Sequence, residues 1–383
     1  MYNRNLVFIA ACMGMLVFGI VMTTIGTLLP MLIPKFQIDK IEAGSMMSLL
    51  SIGILTGSLI FGPVVDRFGY KIILAVAAAM IVIGLEGIAF TGLFGILQGA
   101  LFLIGVGGGI LNGSTNALVA DISESDKSAR LSILGVFFGV GAIGIPFLLG
   151  LLLDYVSYET FMTATGAAIL IPLIYFIRIG FPAPKQPQGF PVKEGIKLTG
   201  NLTLLMLGFI LFFQSGMEIT IGSWTTTFLM ENLTVSESRA VFFFSFYWIG
   251  LTLARLALGV VLRKINAGTV LISSLLVAFT GIMIMINAGG LSLAVIALVL
   301  IGLGFAAVYP VILGYTGSLF AHLSGTAFSI LFVIALIGGS LLPLITGIVA
   351  ESFTLRLGFG VIPVSLTIIF LLFMLVKGKL TTG

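Results

Sequence analysis

Glu218 stands near the middle of a long, otherwise uncharged apolar run, with Gln214 four residues before it and Gly222 four residues after. Residues four apart share a helix face, so the three make one narrow polar stripe. A bare carboxylate at that depth in hydrocarbon is costly. It must therefore be paired, take up a proton, or engage a ligand, and moving among these states is the chemistry of an ion-coupled carrier. A structural ion pair or a hydrogen-bonded neutral acid fits the same stripe. Trp224 and three consecutive threonines, Thr225 to Thr227, continue the polar stretch. Gly216 and Gly222 weaken a helix locally, as suits a transporter helix that breaks around its solute.

Seven other positions offer related chemistry. Asn112 and Asn116 lie four apart in a glycine-rich run. Amides facing lipid would go unsatisfied, so this face is expected to turn inward, toward a ligand or toward an interhelical hydrogen bond. The glycines around Gly105, Gly107 and Gly109 follow no strand and sit in no βαβ unit. They read as close-packing positions and not as a dinucleotide loop. Tyr309 carries a phenol, and Thr23 and Thr27 carry hydroxyls on one face of the first apolar run. Arg255, about two turns from the end of its run, can snorkel, line a cavity or pair with Glu218. Glu86, late in the third run, is expected near a membrane rim.

The elements that hold these groups are set by composition. Only 8% of residues are charged and 59% are apolar, and mean hydropathy is +1.25. Soluble domains carry about 25% charged residues, so the chain must meet lipid over most of its surface. Uncharged stretches of roughly 20 residues, each able to cross about 30 Å of hydrocarbon, recur twelve times between residues 6 and 376. Long apolar runs with glycine favour helices over a barrel. With the N-terminus in the cytoplasm, the inner segments collect Arg4, Arg67, Lys71, Lys127, Arg130, Arg178, Lys185, Lys193, Lys197, Arg263, Lys264, Lys377 and Lys379. The outer segments hold Lys35, Lys40, Arg239 and Arg356. This bias places both termini inside and accounts for the net charge of +4 without nucleic acid. The first run is too long for a signal-peptide core and is expected to be a retained helix. One cysteine, Cys12, and one histidine, His322, leave no internal disulfide and no His/Cys metal site. No phosphate loop and no histidine-based triad occur, so an enzyme and an ATP-driven pump are both disfavoured, and no cofactor is implied.

A constant offset joins the two halves. Gly62 is answered by Gly259, Gly105 by Gly302, Asn112 by Tyr309, Pro146 by Pro343 and Asp154 by Glu351, each 197 residues on (309 − 112 = 197). A near gap-free duplication of this kind marks a two-half transporter. The expected division is a six-helix bundle over 1–180, a cytoplasmic linker over 181–199, and a second bundle over 200–383. Pro182, Pro184, Pro187 and Pro191 make that linker extended and semi-rigid, and its lysines can lie against anionic lipid.

Between the second and third runs the chain reads Gly62-x-x-x-Asp66-Arg67-x-Gly69-x-Lys71. This resembles the loop signature of the major facilitator superfamily with every position filled. The resemblance implies twelve helices in two pseudo-symmetric bundles, with the loop holding the halves together when the cavity faces outward. Gly62 is expected to let its helix approach a neighbour closely. The second copy has Arg263 where the first has Asp66, so a weaker version of the lock is expected there. Within the superfamily, two stretches are similar to the fucose–proton symporter family and the related sodium-dependent glucose transporter branch. One is the helix-four run holding Asn112 and Asn116 followed by Val136 to Pro146 in helix five, and the other runs from Gly216 to Phe228. That family carries acids in helices one and four. Here helix one offers Thr23, Thr24 and Thr27, and Asn112 stands near the helix-four position, so any coupling falls first to Glu218 and then to Glu86.

The sequence therefore predicts an all-α secondary transporter of the inner membrane, working as a monomer by alternating access. Its cavity is expected to be lined from helices one, four, seven and ten by Thr23, Thr27, Asn112, Asn116, Gln214, Glu218, Trp224 and Tyr309, with Arg255 as the cavity charge. Amides, hydroxyls and aromatic faces suit a polar uncharged solute such as a sugar, with a proton or sodium ion as the coupling partner. Proton-coupled efflux of amphipathic drugs or lipids is the alternative, favoured by 32 phenylalanines. It is opposed by Ile145 intervening between Gly144 and Pro146, where antiporters place glycine directly before proline.

Overall fold

The computed structural model describes residues 2–122, 127–183, 198–320 and 324–380. The linker expected over 181–199 lies, for residues 184–197, outside the described residues, as do His322 and the side chain of Asp66. Every regular element among the described residues is a helix, and 12 helices are long and apolar enough to cross a membrane. They are α1 (Arg4–Phe36), α2 (Lys40–Phe68), α3 (Tyr70–Phe90), α4 (Phe94–Ile122), α5 (Lys127–Leu152), α6 (Tyr158–Arg178), α7 (Leu202–Leu233), α8 (Glu237–Val261) and α9 (Ala267–Asn287). The tenth span is split into α10 (Leu291–Phe305) and α11 (Val308–Leu319). The chain ends with α12 (Ser324–Ser352), the single turn α13 (Leu355–Gly358) and α14 (Val361–Leu380). The expected all-α membrane architecture is thus realised.

Local chemistry sets the helix ends. Asn3, Ser157, Asn201 and Asn266 each accept a hydrogen bond from a first-turn amide, relieving the orphan donors that every helix start leaves. In the signature loop, Gly69 caps α3 at φ 78 and ψ 169, a backbone region open essentially to glycine alone. That is the physical reason the motif needs glycine there. Lipid-facing positions such as Ile83, Phe90 and Leu375 are exposed and apolar, as a hydrocarbon environment requires.

The chain forms two compact units. One comprises Met1–Ile38, Leu49–Gln188 and Ser236–Ser245, the other Asp39–Ser48, Gly189–Val235 and Phe246–Gly383. In the first, α1 packs on α4 and α5, and α3 packs on α4 and α6. Lipid supplies little hydrophobic drive between helices, so small residues must let backbones touch and gain dispersion energy. The glycine run of α4 serves this purpose: Gly105 and Gly109 abut the carbonyls of Leu50 and Ile54 on α2, and Gly107 abuts Ala77 on α3. The close approach expected at Gly62 falls elsewhere. A Cβ there would meet nothing within 4 Å, whereas Gly57 and Gly53, five and nine residues earlier on the same helix, press on α4.

In the second unit, α7 packs chiefly on α12 and α14, and α9 on α10. The break expected in helix seven is not there, since α7 runs unbroken through Gly216 and Gly222. Packing overrides the local weakness: a Cβ on Gly216 would come 2.8 Å from the Gly338 carbonyl, so α12 braces the helix at that point. The interruption lies in the tenth span instead. Pro310 has no N–H for the carbonyl of Ala306, and its ring crowds that carbonyl. Ala306 and Ala307 keep right-handed dihedrals, φ −61 and ψ −35 for Ala306, φ −85 and ψ −24 for Ala307. The span therefore loses hydrogen bonds at this turn without unwinding.

Candidate functional site

The polar stripe of α7 meets the interruption between α10 and α11. Gln214 is fully buried, and its Nε2 donates both to Glu218 Oε1 at 2.8 Å and to the Phe305 carbonyl at 3.2 Å. An amide nitrogen has two hydrogens, so this arrangement consumes both, while Gln214 Oε1 is buried with no partner. Phe305 is the last residue of α10, and its carbonyl is one that a helix end leaves without its usual donor. Directly beyond the interruption, the Tyr309 hydroxyl faces Ser215. Consecutive residues of α7 thus hold the tenth span on both sides of its weak point.

Charge completes the cluster. Arg255 Nη2 lies 3.8 Å from Glu218 Oε1, with 15% of the glutamate side chain and 33% of the arginine side chain exposed. The sequence left Arg255 three roles, and the structure brings it to Glu218. Tyr247 is fully buried within electrostatic reach of both, and the half-buried Tyr309 is within reach as well. On the same helix as Arg255, Thr252 has a buried hydroxyl without a partner. The cluster offers a carboxylate, two phenols, orphan amide and hydroxyl oxygens, and one cation within a membrane-spanning unit.

In the other unit, Asn112 and Asn116 do share a face of α4. Asn116 Nδ2 donates to the Asn112 carbonyl at 2.8 Å and to Asn112 Oδ1 at 3.2 Å. Both residues are half-buried, and the adjacent Ser114 hydroxyl is buried with no partner. Thr23 and Thr27 spend their hydroxyl hydrogens on carbonyls of their own helix, Thr23 on Ile20 and Gly19 and Thr27 on Thr23. Each keeps only acceptor capacity. Trp224 is fully buried, and its indole N–H donates to the Pro343 carbonyl of α12 at 3.1 Å, so it secures α7 to its neighbour. Glu86 accepts from Thr163 at 3.1 Å between α3 and α6 and stands apart from Asn112 and Asn116 in these bonds.

Three members of the cluster were not picked out from the sequence. Ser215 is adjacent to Gln214 but on another face of the stripe. Tyr247 lies at the same face as Arg255, eight residues earlier, and that spacing would have found it. The third is the interruption itself, whose sequence signal is Pro310 inside a 29-residue apolar span. Among the described residues no group of His, Cys, Asp and Glu is arranged to hold a metal.

Residues 11–343 match the Major Facilitator Superfamily. The chain is 23% identical over 360 residues to the glucose/mannose transporter GlcP of Bacillus subtilis, covering 90% of this chain and 88% of that protein. It is 26% identical over 326 residues to a glucose/galactose transporter of Brucella abortus, covering 79% of this chain and 77% of the relative. Among solved structures, the nucleoside transporter NupG aligns with a TM-score of 0.81 at 16% identity, covering 97% of this chain and 99% of that one. At that identity the likeness concerns the fold.

Proposed function

Because this chain belongs to the Major Facilitator Superfamily, whose members are transporters and not enzymes, we propose that it carries a small polar uncharged solute of the sugar class across the cytoplasmic membrane by alternating access. The observation that carries this reading is the Gln214–Glu218–Arg255–Tyr309 cluster. A sugar presents many hydroxyls, each both donor and acceptor. Gln214 Oε1 and Thr252 Oγ1 lack partners, Glu218 accepts, and Arg255 donates. An anionic solute would call for more buried cations than Arg255. The relatives named for glucose, mannose and galactose support the same class.

Glu218 is the coupling group in this reading, exchanging a proton, or a sodium ion in its stead, as the cluster opens to one side and then the other. Asn112 and Asn116 supply the amides of the first unit, and Asp66, Arg67 and Lys71 of the signature loop act at the cytoplasmic face. Both termini are cytoplasmic, and the working form is a monomer.

The test is uptake of a panel of hexoses and pentoses into proteoliposomes under an imposed proton or sodium gradient. Accumulation of at least one sugar, competed by its congeners, is the expected result. Absence of both uptake and competition, with gradient-driven efflux of a fluorescent amphipathic cation, would replace the sugar with an exported amphiphile.

A further inference from the structure

Gln214 and Ser215 are neighbours in sequence and grip the tenth span at two points. Gln214 Nε2 donates to Phe305 O before the Ala306–Ala307 interruption, and Ser215 faces the Tyr309 hydroxyl after it. The first grip is shared with Glu218, because the same nitrogen serves Glu218 Oε1. Around this grip the packing is apolar: Ala306 and Ala307 are buried against Leu258 and Val270. Gly339 of α12 leaves the room that Ser215 Oγ occupies, a Cβ there coming within 2.9 Å of it. Gln214 is thus the α7 side chain whose hydrogen bond reaches the backbone of this turn, and Ser215 faces it from the other side.

We propose that Gln214 and Ser215 form a two-point clamp that ties the closure of the interruption in the tenth span to the charge on Glu218, with Gln214 as the positioning residue that carries the signal. This deepens the transport reading above and rests on it. When Glu218 is anionic, its oxygen attracts one hydrogen of Gln214 Nε2, and the other hydrogen is thereby aimed at Phe305 O. When Glu218 takes a proton, its carboxyl becomes a donor as well as an acceptor. The protonated carboxyl then competes for Gln214 Oε1, which is orphaned in the anionic arrangement. The amide turns to meet it, and Phe305 O loses its donor. The Ser215–Tyr309 contact does not run through Glu218, so that grip stays. The outcome is a turn released on one side only, which lets α11 swing about the Ser215–Tyr309 point. The groups that face Glu218 are Arg255 and Tyr247 from α8 and Tyr309 from α11. On α12, α13 and α14 the charged residues with described side chains are Glu351, Arg356 and Lys377, at or near the helix ends, so Glu218 is the acid this clamp reads.

Labelling of a buried cysteine tests the proposal in the full chain. Cys12→Ser removes the native thiol, and Ala307→Cys places a new one at a position that is fully buried. Maleimide labelling in membrane vesicles then reports how often the interruption opens. Because only the thiolate reacts, each rate is divided by that of a fully exposed reference cysteine at the same pH; the normalised rate should rise on going from mildly alkaline to mildly acidic pH by about fivefold, the factor one net hydrogen bond is worth. Glu218→Gln should hold the normalised rate constant across that range. Gln214→Leu should also flatten the pH response while Glu218 is intact. Ser215→Ala should raise labelling at both pH values and preserve the response. Should Gln214→Leu fail to reach the membrane, Gln214→Asn, one methylene too short to span both acceptors, carries the same expectation. A parent protein without a pH response, or a Gln214 variant that keeps it, would overturn the clamp. Sugar accumulation by Glu218→Gln at the parental level would instead sink the coupling role of Glu218, leaving the labelling result to stand on its own.

Discussion

Arg255 Nη2 and Glu218 Oε1 face each other at 3.8 Å near the middle of α7. Sixteen residues separate Glu218 from the start of that helix (218 − 202), a rise of about 24 Å at 1.5 Å each. Breaking a buried pair by removing one partner leaves an uncompensated charge and costs about 3–5 kcal/mol. Here the cost is smaller, because a third of the guanidinium side chain is exposed and solvent screens it. Arg255→Leu is therefore expected to destabilise the protein by roughly 1–3 kcal/mol. The double variant Arg255→Leu with Glu218→Gln should recover part of that loss. Thermal unfolding of the single and double variants in detergent measures it, and a double variant no more stable than Arg255→Leu would show that the two side chains do not pair. In gradient-driven uptake, Glu218→Gln should lower accumulation far more than it lowers exchange.

Trp224 makes a separable prediction. Its N–H satisfies the Pro343 carbonyl, and Pro343 is one of the α12 positions that repeat the first half of the chain. Trp224→Phe keeps the apolar bulk but strips the donor, leaving a buried carbonyl unpaired at a cost of about 1–3 kcal/mol. Melting should fall while the KM of the transported solute stays at its parental value. A raised KM with unchanged melting would return Trp224 to the ligand side.

The division between legible and hidden features follows from range. The twelve spans were readable because each is a property of a whole segment. Gly69 was readable as a motif position, and its φ of 78 supplies the cause. Asn112 with Asn116, and Gln214 with Glu218, were readable because four-residue spacing fixes a face, and both pairs do bond. What α7 would do at Gly216 was not readable. Local propensity says the helix weakens there, but the decision belongs to Gly338 and Leu342 on a distant segment. Gly62 illustrates the same point in reverse: a glycine in a motif packs against nothing within 4 Å while Gly53 and Gly57 bear on α4. The partner of Gln214 across the unit, Phe305 O, is a backbone atom and leaves no trace in side-chain spacing.

Glu86 and Gly166 give a steric prediction in the first unit. The carboxylate sits over Gly166, where a Cβ would come within 2.7 Å of Oε1, and it accepts from Thr163 on the same helix, α6. Gly166→Val would overpack this site, and inserted bulk of that kind costs about 1–3 kcal/mol. In a Glu86→Ala background the new side chain gains room, so the same substitution should cost markedly less. Melting temperatures of the four proteins in the cycle decide the matter, and equal losses in both backgrounds would place the strain elsewhere.

Pro310 bears on the transport cycle most directly. It is the third residue of α11 (308 to 310), early enough in a helix for proline to be tolerated. Its cost falls one turn back, on the Ala306 carbonyl, which has no donor four residues on. Pro310→Ala restores that N–H and removes the ring, so α10 and α11 should join into one continuous helix. Phe305 O would then accept from the Tyr309 amide, as in any regular turn, and Gln214 would lose its partner across the unit. Stability should rise by as much as about 3 kcal/mol, the cost of an interior proline, while the initial rate of solute uptake falls several-fold. Unfolding and uptake measured on the same preparation separate the two effects. A straightened, stabilised protein that transports at the parental rate would mean that the interruption has no part in moving the solute.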